Sequence, residues 1–172
     1  MLDCLVDGEI SDQVSAADRG LLYGDGLFET ITVLGGQPRF WQGHMDRLSA
    51  GCEQLGLSAT PQEVLLRELK TVCAGRPDCT VRIIITRGTS GQGYAADIPA
   101  QPNRIVSAHA LLRSTDNDAL FGIRARLCDL RLGIQPALAG MNHLNRLEQV
   151  TARAEWDDPL ISEGILLDRE DH

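Results

Sequence analysis

The supply of amines limits the chemistry open to this chain. Of its 16 basic residues 15 are arginine and one, Lys70, is lysine. Covalent catalysis that starts at a lysine amine therefore has Lys70 or must borrow from another chain. Arg47 stands one helical turn after His44, beside an apolar stripe. An arginine so placed could hold a phosphate by bidentate hydrogen bonds, and it could equally be a surface ion-pair partner. Residues 141–150 (MNHLNRLEQV) put polar groups at an expected helix start just after Ala139-Gly140. Helix starts favour anions and reactive groups, although a plain capped helix has the same pattern. Residues 88–93 read G-x-x-G-x-G but lead into a strand, so they are not a dinucleotide fingerprint, and alone they read as a surface loop. The chain has no G-x-S-x-G elbow and no P-loop lysine. Its four histidines and five cysteines show no zinc-ligand spacing and no C-x-x-C. No metal site is expected, and the cysteines read as reduced, mostly buried thiols.

These residues must be positioned by the elements around them. Residues 1–10 read as a hairpin turning at Asp7-Gly8, and residues 11–26 as loop. Residues 27–34 alternate as a strand, with Leu27, Glu29, Ile31 and Val33 on one face. Gly35-Gly36 leads into a second hairpin at 38–41. Met45, Leu48, Cys52 and Leu55 form one stripe, which predicts a helix over about 42–55. The next helix is expected to start with Thr60 as N-cap, Pro61 at N1 and Glu63 closing a capping box. Leu65, Leu66, Leu69, Val72 and Cys73 make its buried side. Lys70 shares the solvated side with Glu63 and Arg67. Residues 79–86 predict a central strand and 103–112 another. Residues 113–118 are the linker candidate. Beyond come a strand near 121–128 and a helix over about 143–156, with Leu144, Leu147, Val150 and Ala154 as its apolar stripe. A strand ending in GILLD at 168 follows. The fold class expected is α+β: an N-terminal domain over 1–112, a linker at 113–118, and the opening of a second domain at 119–172. That last piece is about 55 residues, fewer than usually make an independent core.

Composition narrows the partners. The chain has 172 residues, a formal charge of −8, 43% hydrophobic and 23% charged residues. Enough apolar material is present for a packed core. The acidic balance argues against nucleic-acid binding, which needs a basic surface. No apolar run approaches a membrane span of roughly 20 residues. The first residues show neither a basic n-region nor an apolar h-region, so a cytoplasmic protein is expected.

Several segments together resemble the fold-type IV pyridoxal-phosphate enzymes, which include branched-chain and D-amino-acid aminotransferases and aminodeoxychorismate lyases. Asp18-Arg19-Gly20, followed by Tyr23-Gly24-Asp25-Gly26-Leu27-Phe28-Glu29-Thr30, is similar to their N-terminal signature. His44-Met45-Asp46-Arg47-Leu48 resembles their H-x-x-R-L helix, whose arginine binds the cofactor phosphate. Arg87-Gly88 with Gly91-Gln92-Gly93-Tyr94 resembles their R-G…G-x-G-Y loop near the active site. His143-Leu144-Asn145-Arg146-Leu147-Glu148-Gln149-Val150 resembles the stretch after the Schiff-base lysine of the bacterial lyases. The resemblance runs in order along essentially the whole chain, and its last motif favours the lyases.

The resemblance implies a two-domain fold, complete here in its N-terminal α/β sandwich and only begun in the second domain. It implies pyridoxal 5'-phosphate as cofactor, a small-molecule substrate and a homodimer. The implied reaction converts 4-amino-4-deoxychorismate to 4-aminobenzoate and pyruvate for folate synthesis. The Schiff-base lysine falls at Asn142, a carboxamide that can neither form an imine nor carry the proton. Arg47 falls at the phosphate ligand. Tyr94 and Arg104 are candidate substrate contacts, with a loop anchor and a strand-surface charge as their plain readings. The family also supplies a carboxylate for the pyridine nitrogen and a second phosphate loop from residues beyond those present. An inactive or impaired lyase is therefore expected. A fold-type IV aminotransferase and a non-enzymatic dimerising or anion-binding remnant are the alternatives.

Overall fold

Two antiparallel strands of alternating β-branched and polar residues anchor the larger sheet. The computed structural model describes residues 3–91, 93–96, 101–111 and 120–172. The expected linker, 113–118, lies outside them. In chain order the elements of the first unit are β1 (Cys4–Val6), β2 (Glu9–Ile10), α1 (Arg19–Tyr23), β3 (Gly26–Leu34), β4 (Gln37–Pro38), α2 (Trp41–Leu55), α3 (Gln62–Val72), β5 (Cys79–Thr86) and β6 (Asn103–His109). Their strands form one sheet of order β2-β1-β6-β5-β3-β4. β3 and β5 pair antiparallel from Gly26↔Thr86 to Val33↔Cys79. Register places Leu27, Glu29, Ile31 and Val33 on the same face as Ile85, Ile83, Val81 and Cys79, and all eight are buried. Met45, Leu48 and Cys52 of α2 and Leu65, Leu69 and Val72 of α3 are buried with them. Removing such side chains from water at about 25 cal/mol per Å² is what holds helices to a sheet.

The chain divides into two compact units, Met1–Leu112 with Gly140–Leu144, and Arg113–Ala139 with Asn145–His172. Residues 140–144 thus belong with the first unit, whereas the sequence division puts them in the second domain. Backbone bonds explain this: Phe28 N–H donates to the Asn142 carbonyl at 2.8 Å and Leu144 N–H to the Gly26 carbonyl at 3.0 Å. In the second unit β7 (Arg124–Leu132) and β8 (Ile161–Asp168) pair in parallel, and a 3-10 turn (Pro136–Leu138) and α4 (Leu147–Arg153) lie between them in sequence. Glu155 accepts the N–H groups of Asp129 and Leu130 at 2.8 and 2.9 Å. Those two backbone bonds, with Arg126, hold its carboxyl below the usual carboxylate range.

Several expectations need correction. The stretch 11–26 contains α1, because Asp18 accepts from Gly20 N–H at 2.7 Å and caps a helix too short to show a stripe. α3 begins at Gln62 after Pro61, with no side-chain cap, so the Thr60–Glu63 capping box does not form. The last helix starts at Leu147, not His143, because 142–144 is extended on β3 and its backbone groups are already bonded. Its expected buried stripe is also wrong: Leu147 is 79% and Val150 62% exposed, while Ala152 is buried. The strand read at 103–112 ends at His109, and the one read near 121–128 runs over Arg124–Leu132.

Candidate functional site

Glu29 is the one charge on the buried face of β3, and only 1% of its side chain is exposed. A carboxylate so placed needs partners, and α2 supplies two. Arg47 donates through Nε to Glu29 Oε1 at 2.8 Å and through Nη2 to Oε2 at 2.5 Å. His44, one turn earlier, lies with Nδ1 2.7 Å from Oε2. Phe40 at φ 53° starts α2 and Leu48 and Cys52 bury its inner face, which brings the His44–Arg47 side over Glu29. The Glu29 hydrogen bond is the largest influence on Arg47 and pushes its guanidinium above arginine's ordinary value. Glu29 takes two of the five guanidinium donors, and 44% of the Arg47 side chain is exposed. The arrangement leaves a permanently charged arginine, fixed at its base, with donors available to an external anion.

Asn142 meets the strand one residue before Glu29. β5 occupies one edge of β3 from Gly26 to Val33, so the 142–144 stretch must use the other edge, whose far end β4 covers. Leu27 and His143 form the bridge there. Gly26 permits the approach. A Cβ at residue 26 would stand 2.4 Å from the Ile85 carbonyl oxygen and 2.9 Å from Leu144 Cδ1.

A second cluster fixes the glycine loop. Arg19 is buried, and its guanidinium donates through Nη1 to the carbonyls of Gly93 and Ala95, and through Nη2 to that of Tyr94, at 3.0 to 3.3 Å. Its Nε and that of Arg87 both donate to Asp25 Oδ2, at 2.9 and 2.7 Å. Burial works to raise the Asp25 carboxyl, but the bonds and charges of Arg87 and Arg19 outweigh it and hold it below the usual range. Tyr94 thus has a clamped backbone and an exposed ring, 5.5 Å from the Tyr23 ring.

The four candidate residues do not fall together. Arg47 and Asn142 meet β3 at adjacent residues. Tyr94 sits in the Arg19-clamped loop. Arg104 is on β6, two strands from β3, and its Nε and Nη2 are both bound by Glu68 at 2.7 Å. Lys70 is exposed on α3. Residue-by-residue reading missed Glu29 as the organising group. A charge inside an otherwise apolar alternating face was the available signal. It also missed Asp25 as the shared acceptor of two arginines, for which spacing carries no signal.

The profile of the class IV amino-transferases matches residues 26–172. The chain belongs to the class IV amino-transferase family. Within that family it is 33% identical to an aminodeoxychorismate lyase of Vibrio harveyi, over 97% of this chain and 62% of that one. A crystal structure of 4-amino-4-deoxychorismate lyase from Pseudomonas aeruginosa is 43% identical, with a TM-score of 0.90, over 97% of this chain and 62% of the other. The branched-chain amino acid aminotransferase of Escherichia coli shares the fold at a TM-score of 0.78 and 19% identity, over 97% and 58%. The chain therefore spans about three-fifths of the length of the relatives it matches. Its fold is the mixed α and β fold of this family. No helix among the described residues is long and apolar enough to cross a membrane.

The family is pyridoxal-phosphate dependent, and the residues here fit that group only in part. Arg47 suits its phosphate. Asn142 offers a carboxamide where the resemblance puts the amine, so covalent attachment at that position has no chemical basis.

Proposed function

We propose that this chain is of the aminodeoxychorismate-lyase type, keeps the anion end of the cofactor site and lacks the covalent end. Asn142 carries the reading. Its main chain is bonded to β3 beside the Glu29–Arg47 pair, and its side chain has neither the basicity nor the nucleophilicity of an amine. When bound, pyridoxal phosphate supplies an electron sink. Arg47 would hold its phosphate, with Glu29 and His44 fixing the arginine. No proton transfer can be assigned to residue 142. General acid–base catalysis contributes about 10²–10⁴-fold in rate, so the activity expected of the chain is low or nil.

The 43% identity with the lyase structure supports lyase over aminotransferase ancestry. Asn142 would disable either chemistry. A homodimer and a cytoplasmic location complete the reading and follow the family. Two measurements on the chain test it together. Titration with pyridoxal phosphate should show reversible binding, weakened roughly 10- to 100-fold in Arg47→Ala, the loss expected for charge-assisted hydrogen bonds. Incubation with 4-amino-4-deoxychorismate should give no 4-aminobenzoate above background. Robust turnover would overturn the covalent part, and unchanged binding in Arg47→Ala would overturn the anion part.

A further inference from the structure

We propose that Cys73 and Cys79 are an oxidation site, a buried dithiol that a small peroxide converts to an intramolecular disulfide tying the end of α3 to the start of β5. This inference does not depend on the lyase reading. All five cysteines are free thiols. Cys73 Sγ and Cys79 Sγ lie 3.1 Å apart in the interior, so closing a disulfide asks for a further approach of about 1 Å. Cys4, Cys52 and Cys128 lie on β1, α2 and β7.

Both thiols are held in place by the main chain. Cys73 caps α3, its N–H bonded to the Leu69 carbonyl at 3.0 Å. Arg76 N–H returns to the Cys73 carbonyl at 2.8 Å, and Gly75 takes φ 79° to make that turn. Cys79 opens β5 opposite Val33. Just before it, the Pro77 carbonyl accepts from Gly36 N–H at 2.8 Å, and Asp78 Oδ1 accepts from Gly35 N–H at 2.9 Å. The Arg76–Asp3 ion pair at 2.6 Å ties the middle of the turn to the residue before β1. The two sulfurs therefore stay opposed when the reagent arrives.

Access sets the order of events and the class of oxidant. Cys79 is fully buried and Cys73 is 9% exposed at the helix end. A bulky disulfide reagent is excluded where a molecule of hydrogen peroxide size can enter. The Cys73 thiolate attacks one peroxide oxygen. The O–O bond breaks, giving a sulfenic acid and hydroxide, which takes up the thiol proton. The Cys79 thiolate then attacks the Cys73 sulfur, the S–O bond breaks and water leaves. Two thiols lose two hydrogens and one peroxide becomes two waters. Burial, with Cys79 alongside, pushes the Cys73 thiol up to about 12. The thiolate is scarce at neutral pH, so the site is stable to brief exposure and reacts faster as pH rises.

The test treats the native chain with hydrogen peroxide, then alkylates in denaturant and digests with trypsin without reductant. The peptide 71–82, uncut at Arg76–Pro77, should appear two hydrogens lighter and unalkylated. Dithiothreitol should restore both alkylation sites. The rate should rise about tenfold per pH unit below the thiol's own range. In Cys79→Ala, confirmed folded by its circular dichroism, Cys73 should stop at a sulfenic acid trapped by dimedone. The proposal fails if 71–82 stays doubly alkylated while other cysteines are consumed, if Cys73 pairs elsewhere, or if Cys73 proceeds to sulfinic acid with Cys79 still alkylated.

Discussion

The Glu29–Arg47–His44 cluster and the 142–144 stretch meet β3 at adjacent residues and are held there by opposite means. The cluster is built from side chains: one carboxylate, 1% exposed, receives two bonds from Arg47 and faces His44. The stretch is placed by its main chain, through Phe28 N–H to the Asn142 carbonyl and Leu144 N–H to the Gly26 carbonyl. Every residue type carries a carbonyl, whereas few carry a carboxylate. The two main-chain bonds at 142–144 do not depend on which side chain residue 142 carries, so a substitution there is expected to cost the fold less than one at 29.

That contrast can be broken first at Gly26. Gly26→Ala puts a Cβ 2.4 Å from a backbone oxygen of β5, an atom that can move only with its strand. The expected cost is about 3 kcal/mol, the upper end for overpacking. Faster hydrogen exchange at Phe28 and Leu144 should accompany it. A normal urea midpoint with protected amides would show that 142–144 does not depend on this close approach.

Glu29→Ala attacks the side-chain half. Breaking a buried ion pair by removing one partner costs about 3–5 kcal/mol. The value expected here is ~3 kcal/mol or a little less, because Arg47 is 44% exposed and can turn to water. The urea midpoint measures it. Anion binding should fall with it, since Arg47 loses its anchor.

Much of this was legible in the sequence. The run CTVRIIIT, β-branched and bounded by turn residues, marks β5 to its residue. α2 followed from its stripe. α1 was not legible, since five residues held by the Asp18 cap show no periodicity. The sequence carries the last helix back to 143, before its actual start at Leu147, for a different reason. Polar groups at its expected start looked like a cap, but a tertiary partner, β3, had claimed that backbone. At the site, Arg47 and Asn142 were legible through motif. Glu29 as the partner of Arg47 and His44 needed the packing of α2 on β3. The exposure of Leu147 and Val150 defeats the rule that an apolar stripe is buried within its own unit.

Acid should find the glycine-loop clamp. The Asp25 carboxyl is held below its ordinary value by Arg87 and Arg19, which outweigh burial. A depressed folded-state pKa stabilises fully above the unfolded value, about 3.9, and the benefit is lost as pH falls through the lower folded value. Stability measured from neutral pH to the acid limit should therefore fall less steeply at its acid end in Asp25→Asn than in the parent. An identical acid limb would remove Asp25 from the account.

The smallest stability effect is expected at the residue with the largest chemical one. Asn142→Lys should change the unfolding free energy measured in urea by no more than about 1 kcal/mol, as for substitutions that leave backbone bonds in place. A severe loss of stability would mean that the side chain at 142, and not its carbonyl, sets the position.

We propose that the missing amine at residue 142 separates this chain from covalent chemistry. It is tested most directly by adding pyridoxal phosphate to the parent and to Asn142→Lys, reducing both with borohydride, and mapping the modified residue by peptide mass spectrometry. A phosphopyridoxyl group is expected on residue 142 of the variant, and in the parent no label beyond slow modification of Lys70 or the N-terminus. An unlabelled lysine at 142 in a folded variant that still binds pyridoxal phosphate would contradict it.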